Sequence, residues 1–304
     1  MAAKNGMVYP IMVIGQDKLA YSIVSDLLLS GYAATLLTEN RQKAGEAISA
    51  YLPESKNLNI VTDWPEKICS QLVVLVTLDQ LAEKQELIRQ VEERCADDAI
   101  IAVNLERLCL DEIQTHMRNK TRLLGLNWTY PVPRTFFAEV IANQYTDPAS
   151  LADVEKWLKT YWKKDPYVVQ HGFSIRARLM AAMLREGIYL VENDFASVES
   201  VDRACRNDAG FYLPFVGNFR YMDLMGTYAY GMVMKDLNRE LSNIVTLPKI
   251  LQEKRDKEET GMDNGKGFYT YDLKEKEHWQ EIFKEFSEEI QQLITKYPHE
   301  SFDR

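Results

Sequence analysis

VYPIMVIGQDKLAYSIVSDLLLSGYAATLLTEN, residues 8–40, decides the fold. A β-branched apolar run, VYPIMVIG (8–15), ends on Gly15 and reads as a buried strand. Apolar residues then recur at helical spacing through 16–31, and Gly31 supplies the stop. AATLLTEN (33–40) is a second buried strand. Two strands apolar on both faces, joined by a helix, predict a parallel pair with a crossover.

The pattern continues outward. RQKAGEAISAYLP (41–53) is helical, and NIVTDW (59–64) and QLVVLVTL (71–78) read as strands. LAEKQELIRQVEERC (81–95) is an amphipathic helix, AIIAVNL (99–105) a strand, LDEIQTHM (110–117) a short helix and TRLLGLNW (121–128) a strand. A helix over 148–165 and a strand PYVVQ (166–170) follow. From about Phe173 strand signals cease, and KEKEHWQEIFKEFSEEIQQLITKY (274–297) closes the chain as a charged amphipathic helix. The expected fold class is therefore α/β, a Rossmann-like doubly wound parallel sheet over residues 1–170, with an all-α C-terminal domain over 171–304.

The 304 residues suffice for two domains and a sizeable core. With 46% hydrophobic and 27% charged residues the chain reads as a soluble globular protein, and no apolar run reaches the roughly 18 residues of a membrane span. The N-terminus lacks a secretory core, so a cytoplasmic location is expected. A net charge of −9 disfavours nucleic acid. Cys69, Cys95, Cys109 and Cys205 form no CxxC pair and read as reduced thiols. His116, His171, His278 and His299 are scattered, which argues against a zinc site.

The first turn of such a sheet is where a dinucleotide pyrophosphate sits, and the pattern expected there is G-x-G-x-x-G/A. Here it reads Gly15-Gln16-Asp17-Lys18-Leu19-Ala20. Gly15 permits the turn and Ala20 permits close helix–strand packing. Asp17 adds bulk and negative charge where the backbone should approach phosphate. Glu39, after the second strand, is either the acid that holds a ribose or an ordinary surface carboxylate. Lys18 either meets phosphate or is a solvated helix-start lysine.

LGLNWTYPVPRTFFAEVI (124–141) makes the reading specific. Asn127-Trp128-Thr129-Tyr130-Pro131-Val132-Pro133 and Ala138-Glu139-Val140-Ile141 resemble the H-F-F-N-P-V-P turn and V-E-V-I segment of the 3-hydroxyacyl-CoA dehydrogenase family. LAEKQEL (81–87), HGF (171–173), EGIYLVENDFASVESVDRA (186–204), FVGNFRYMDLMG (215–226) and GMDNGKGFYTY (261–271) resemble further family landmarks in order. The resemblance spans roughly residues 8 to 272. It implies a nucleotide-binding domain, a helical domain that forms a homodimer, and NAD-dependent oxidation of a 3-hydroxyacyl-CoA in a cleft between the domains. It further implies that a histidine removes the hydroxyl proton, a glutamate orients the histidine, and a serine and an asparagine hold the substrate oxygen.

Carried over residue by residue, the histidine position is Asn127, which has no useful pKa and cannot act as a general base. The orienting glutamate is kept as Glu139, expected either to hydrogen-bond Asn127 or to serve as a base itself. The serine position is Glu106, expected to pair with Arg107 or Arg134, and Asn104 is retained. The asparagine of the proline turn is Tyr130, and the asparagine after P-G-F falls at Arg176 or Ala177. Arg41, Lys56 and Arg134 are candidates to meet CoA phosphates or are plain surface charges. Three functions stand on these residues. One is a pseudoenzyme that keeps the two-domain scaffold with weakened NAD binding. The second is an oxidoreductase acting on a small hydroxy or keto substrate, with Glu106, Glu139 or Tyr130 replacing the histidine. The third is a conventional 3-hydroxyacyl-CoA dehydrogenase acting on an acyl-CoA, its site residues assigned otherwise than above.

Overall fold

A computed structural model describes residues 11–53, 56–272 and 274–297. The chain divides into two compact units, Met1–Ala177 and Arg178–Arg304. Residues 8–10 of the first expected strand and His299 lie outside the described residues.

The first unit alternates as the sequence pattern predicts. Its elements are β1 (Ile11–Ile14), α1 (Lys18–Leu29), β2 (Ala34–Leu37), α2 (Arg41–Ser49), β3 (Leu58–Val61), β4 (Leu72–Leu75), α3 (Leu81–Glu92), β5 (Ile100–Val103), α4 (Leu110–Ile113), β6 (Leu123–Trp128), β7 (Phe137–Ile141), α5 (Pro148–Lys156) and β8 (Asp165–Val169). They form one sheet in the order β3-β2-β1-β4-β5-β6-β7-β8. The order reverses between β1 and β4, the switch point of an open α/β sheet.

Alternation along each strand builds a core on both faces. Ile11 and Val13 pack with α1, α2 and α5 through Ile23, Leu27, Ile48 and Val154. Met12 and Ile14 face the other way, with Ile88, Val91 and Ile113 of α3 and α4. This period of two explains why the strands read as continuous apolar runs.

Two local expectations are corrected. The sheet is not uniformly parallel, because β7 runs antiparallel to β6, with Asn127 opposite Glu139. Residues 129–136 are too short for a crossover, so the chain reverses. The strand itself was hidden because buried Glu139 interrupts its apolar pattern. The helix expected over 148–165 also ends early: α5 gives way to a π-helical turn at Trp157–Tyr161, and Lys163 turns the chain with φ 52°.

The second unit is helical, continuing α6 (Ile175–Glu192) with α7 (Val198–Ala204), α8 (Gly210–Met225), α9 (Thr227–Leu237), α10 (Lys249–Asp256) and α11 (Glu275–Lys296). Helix α8 carries Pro214 and is kinked at Gly217, whose φ is 68°. Only Ser242, Gly265 and Ser287 are buried among the described residues of this unit.

Candidate active site

The site is built where β1, β4, β5 and β6 end, the edge at which open α/β sheets bind ligands. At β1, Gly15 is required by packing. A Cβ there would stand 2.6 Å from the Ala20 Cβ and 3.0 Å from the Val76 carbonyl. The close helix–strand approach read from Gly15 and Ala20 is therefore present.

Asp17 does more than crowd the turn. It is the N-cap of α1, and its Oδ1 accepts from the Leu19 and Ala20 amides, each at 3.0 Å. Those amides are the donors that a helix N-terminus offers an anion. The residue after Gly15 closes the turn further: the Gln16 Oε1 accepts from the Thr38 hydroxyl at 2.9 Å and the Glu39 amide at 2.7 Å. The Glu39 side chain is exposed at the end of β2. Lys18 turns to the other side, its Nζ 5.0 Å from the centre of the Tyr130 ring.

At β5 and β6 the sequence placed Asn127, Glu139 and Glu106 together, and two of them form a closed polar unit. Asn127 is 1% exposed. Its Oδ1 accepts from the Leu105 amide at 2.7 Å, and its Nδ2 donates to the Leu105 carbonyl at 2.6 Å and to Glu139 Oε2 at 2.7 Å. The backbone ladder between β5 and β6 is registered as far as Val103 opposite Gly125. Beyond it, the Asn127 amide pairs with Leu105 as a strand would, satisfying buried backbone groups where the chain leaves the sheet. Both N–H bonds of Asn127 are consumed.

Glu139 is fully buried and accepts five hydrogen bonds. Oε2 takes Asn127 and the Ser174 hydroxyl at 2.6 Å. Oε1 takes the Tyr167 hydroxyl at 3.1 Å and the amides of Ile175 at 2.9 Å and Arg176 at 3.0 Å. The carboxylate thus sits on the first turn of α6, where the free amides and the helix dipole favour negative charge. Burial, reinforced by this neighbouring carboxylate, pushes the Tyr167 hydroxyl well above the usual tyrosine range. Ser174 and Tyr167 were not singled out in the sequence; neither belongs to a pattern that marks it.

Glu106 lies outside this unit, half-exposed. The expected partners Arg107 and Arg134 are not the ones it takes: Arg176 Nη1 donates to Glu106 Oε1 at 2.8 Å. Arg107 instead turns to Asp79, donating its amide to Oδ2 at 2.6 Å and its guanidinium to the Asp79 carbonyl at 3.0 Å. Asn104 is locked by Thr77, whose amide it accepts at 3.0 Å and whose carbonyl it meets at 2.9 Å. Fully buried Lys84 donates to the Asn104 carbonyl at 2.7 Å. Burial, opposed chiefly by Asp79, lowers the Lys84 ammonium to about 8.

Tyr130 stands on the turn between β6 and β7, before a cis bond to Pro131. Burial and then the adjacent Tyr130 push the Tyr51 hydroxyl up to about 12. The turn is pinned from below. The Val132 amide donates to Ser22 Oγ at 2.9 Å. Buried Lys164 donates to the carbonyls of Val132 at 2.6 Å and Thr135 at 3.0 Å, and to Asp26 at 3.0 Å. Among the described residues no cluster of three or more histidine, cysteine, aspartate or glutamate side chains is arranged for a metal.

The fold is that of a two-unit protein, a Rossmann-like sheet followed by a helical unit. The comparisons narrow this. Residues 31–172 match the profile of the 3-hydroxyacyl-CoA dehydrogenase NAD binding domain, and residues 172–271 that of its C-terminal domain. The chain belongs to the 3-hydroxyacyl-CoA dehydrogenase family. The first match begins after α1, beyond the turn at Gly15–Ala20. A 3-hydroxybutyryl-CoA dehydrogenase of Mycobacterium tuberculosis is 29% identical over 220 residues, 70% of this chain and 75% of that protein. The 5-formyl-3-hydroxy-2-methylpyridine 4-carboxylate 5-dehydrogenase of Mesorhizobium japonicum is 25% identical over 205 residues, 66% of each chain. The match to a fatty acid oxidation complex subunit alpha of Shewanella frigidimarina spans only 28% of that longer protein. Among solved structures, one described as the same pyridine-carboxylate dehydrogenase, "an NAD+ dependent dismutase", shares the fold. Its TM-score is 0.88 at 19% identity over 95% of this chain and 99% of that one. The 3-hydroxyacyl-CoA dehydrogenase of Archaeoglobus fulgidus gives 0.67 at 25% identity, over 96% and 100%.

No helix among the described residues is long and apolar enough to cross a membrane.

Proposed function

We propose that this chain is a pseudoenzyme of its family, unable to carry out NAD-dependent hydride transfer on a 3-hydroxyacyl-CoA at an appreciable rate. The observation that carries the reading is that Asn127 spends both N–H bonds on Leu105 and Glu139 while buried. A general base must be able to take a proton from the substrate, and an amide so engaged has neither the pKa nor a free contact. Losing a general base alone removes roughly 10²- to 10⁴-fold in rate. A second, separate defect is cofactor binding, since Asp17 occupies the amides that would receive the pyrophosphate of NAD.

The candidate replacements for the histidine are weakly placed. Both oxygens of Glu139 are fully engaged at the foot of α6, Tyr130 faces the Lys18 ammonium, and Glu106 holds Arg176. In this account Glu139 has passed from orienting a base to capping a helix. The test is a coupled assay of the full chain with acetoacetyl-CoA and NADH. Turnover no higher than the protein-free background supports the reading; robust turnover overturns it.

The chain is also proposed to act as a homodimer. Phe211, Phe219 and Tyr228 of the second unit are 85%, 84% and 81% exposed. Among the described residues of this unit no apolar side chain is fully buried, so burial within one copy contributes little of the term that stabilises a fold, and a second copy adds to it. Analytical ultracentrifugation should give twice 35.1 kDa; a monomer mass at micromolar concentration contradicts this.

A further inference from the structure

The Glu106–Arg176 ion pair is unlike the buried Asn127–Glu139 unit beside it. It is reached by solvent, with side-chain exposures of 47% and 31%, whereas Asn127 and Glu139 are sealed. Arg176 enters it through one N–H, from Nη1, although a guanidinium carries five donors arranged for a two-pronged grip on a carboxylate. Its main chain is fixed, since its amide donates to Glu139. Its guanidinium lies 5.8 Å from the centre of the Phe137 ring, which Tyr167 meets edge-on at 5.9 Å and 75°. The first amides of α6 are already taken by Glu139 and, at Ala177, by Ser174. The helix end therefore has no free amide at residues 175–177 for an anion, and the half-exposed guanidinium is the cationic group beside it.

We propose that Arg176 binds the carboxylate of a small organic acid whose apolar or aromatic body lies against Phe137 and Tyr167, and that Glu106 is the internal occupant this ligand displaces. A solvent-reached, single-contact ion pair is weakly held, so it exchanges readily. Glu106, once displaced, turns into solvent beside the site, and buried Glu139 already has its five donors, so the ligand competes with Glu106 alone for Arg176. Two-pronged contact in place of one gives the ligand its advantage. Glu106 follows β5, at the strand ends where open α/β sheets take ligands. The inference stands whether or not the chain binds a dinucleotide.

The test uses the full chain with benzoate as probe and benzamide as its uncharged counterpart, by calorimetry or ligand-observed NMR at low salt. Benzoate should bind the native chain weakly and benzamide not at all. Glu106→Gln, which removes the competing carboxylate, should tighten benzoate about tenfold, or about 1.4 kcal/mol. Arg176→Gln should abolish binding, and Arg176→Lys should weaken it by a similar factor because the fork is lost. If Arg176→Gln does not fold, Arg176→Lys carries the comparison. The proposal is overturned if benzoate binds neither the native chain nor Glu106→Gln, if Arg176→Lys binds as the native chain does, or if benzamide binds equally. None of these outcomes bears on dinucleotide binding, which is read with a different probe.

Discussion

Replacing Glu139 by glutamine isolates what its charge does, because the side chain keeps its shape. The amide oxygen of the new residue can take the place of Oε1 and keep Tyr167 and the Ile175 and Arg176 amides. The NH₂ then stands where Oε2 faced Asn127 and Ser174. The Ser174 hydroxyl can rotate and accept instead. Asn127 Nδ2 cannot, since its other proton is on Leu105. One buried donor is left without an acceptor, a loss of about 1–3 kcal/mol. The three surviving bonds become neutral and weaker, whereas release of a buried charge acts the other way. The net expectation is about 2 kcal/mol of destabilisation. For a unit of this size that lowers the melting temperature by roughly 4–8 °C, readable by near-ultraviolet circular dichroism. A double-mutant cycle locates the cause: Asn127→Ala should be about 1 kcal/mol less damaging in the Glu139→Gln background than alone, because the stranded donor is gone. A melting temperature within about 1 °C of the native value, or a cycle that closes additively, would refute the reasoning.

Gly125→Ala should destabilise by about 1–3 kcal/mol in urea unfolding, because a Cβ there would stand 2.8 Å from the Ile141 Cβ and 2.6 Å from Leu105. Lys164→Met should cost more than Asp26→Asn in the same measurement, since it strips an ammonium from Asp26 and two buried carbonyls at once. Burial, partly offset by Lys164, raises Asp26 from 3.8 to about 6. Between those values the unfolded chain has released the proton that the folded chain still holds. Its contribution to stability therefore falls as pH rises from about 4 to about 6, and that slope should vanish in Asp26→Asn. Asn127→His alone should leave the oxidation of 3-hydroxybutyryl-CoA undetected, whereas Asn127→His with Asp17→Gly should bring it into range, base assistance being worth about 10²- to 10⁴-fold. Activity in the single variant would show that Asp17 does not block the cofactor.

The sheet was largely legible because strands buried on both faces leave long apolar runs, and because Gly31, with φ 85°, stops the first helix. Strand β7 was not, since a buried acid in its centre breaks the only signal a five-residue strand has. At the site, the fixed spacing of the proline turn located Asn127 and Glu139, and their contact follows from strands that reverse over a short link. The partner of Glu106 was missed because Arg176 is 70 residues away in sequence, and nearby charges such as Arg107 are the ones a linear reading reaches for. The pair Asp26 and Lys164 was likewise invisible: nothing local marks a lysine in KKDP as buried. The role of Asp17 was half legible. Its bulk and charge could be read from the pattern, but its capture of the Leu19 and Ala20 amides required the geometry of the turn.

The central claim is that the nucleotide end of the site is filled by the protein's own side chains, and a titration of the native chain and Asp17→Gly with NADH, followed by nucleotide fluorescence, addresses it most directly. The account predicts no saturation of the native chain up to about 1 mM, and binding at least about tenfold tighter in Asp17→Gly. Micromolar affinity of the native chain, unchanged by the substitution, would contradict it.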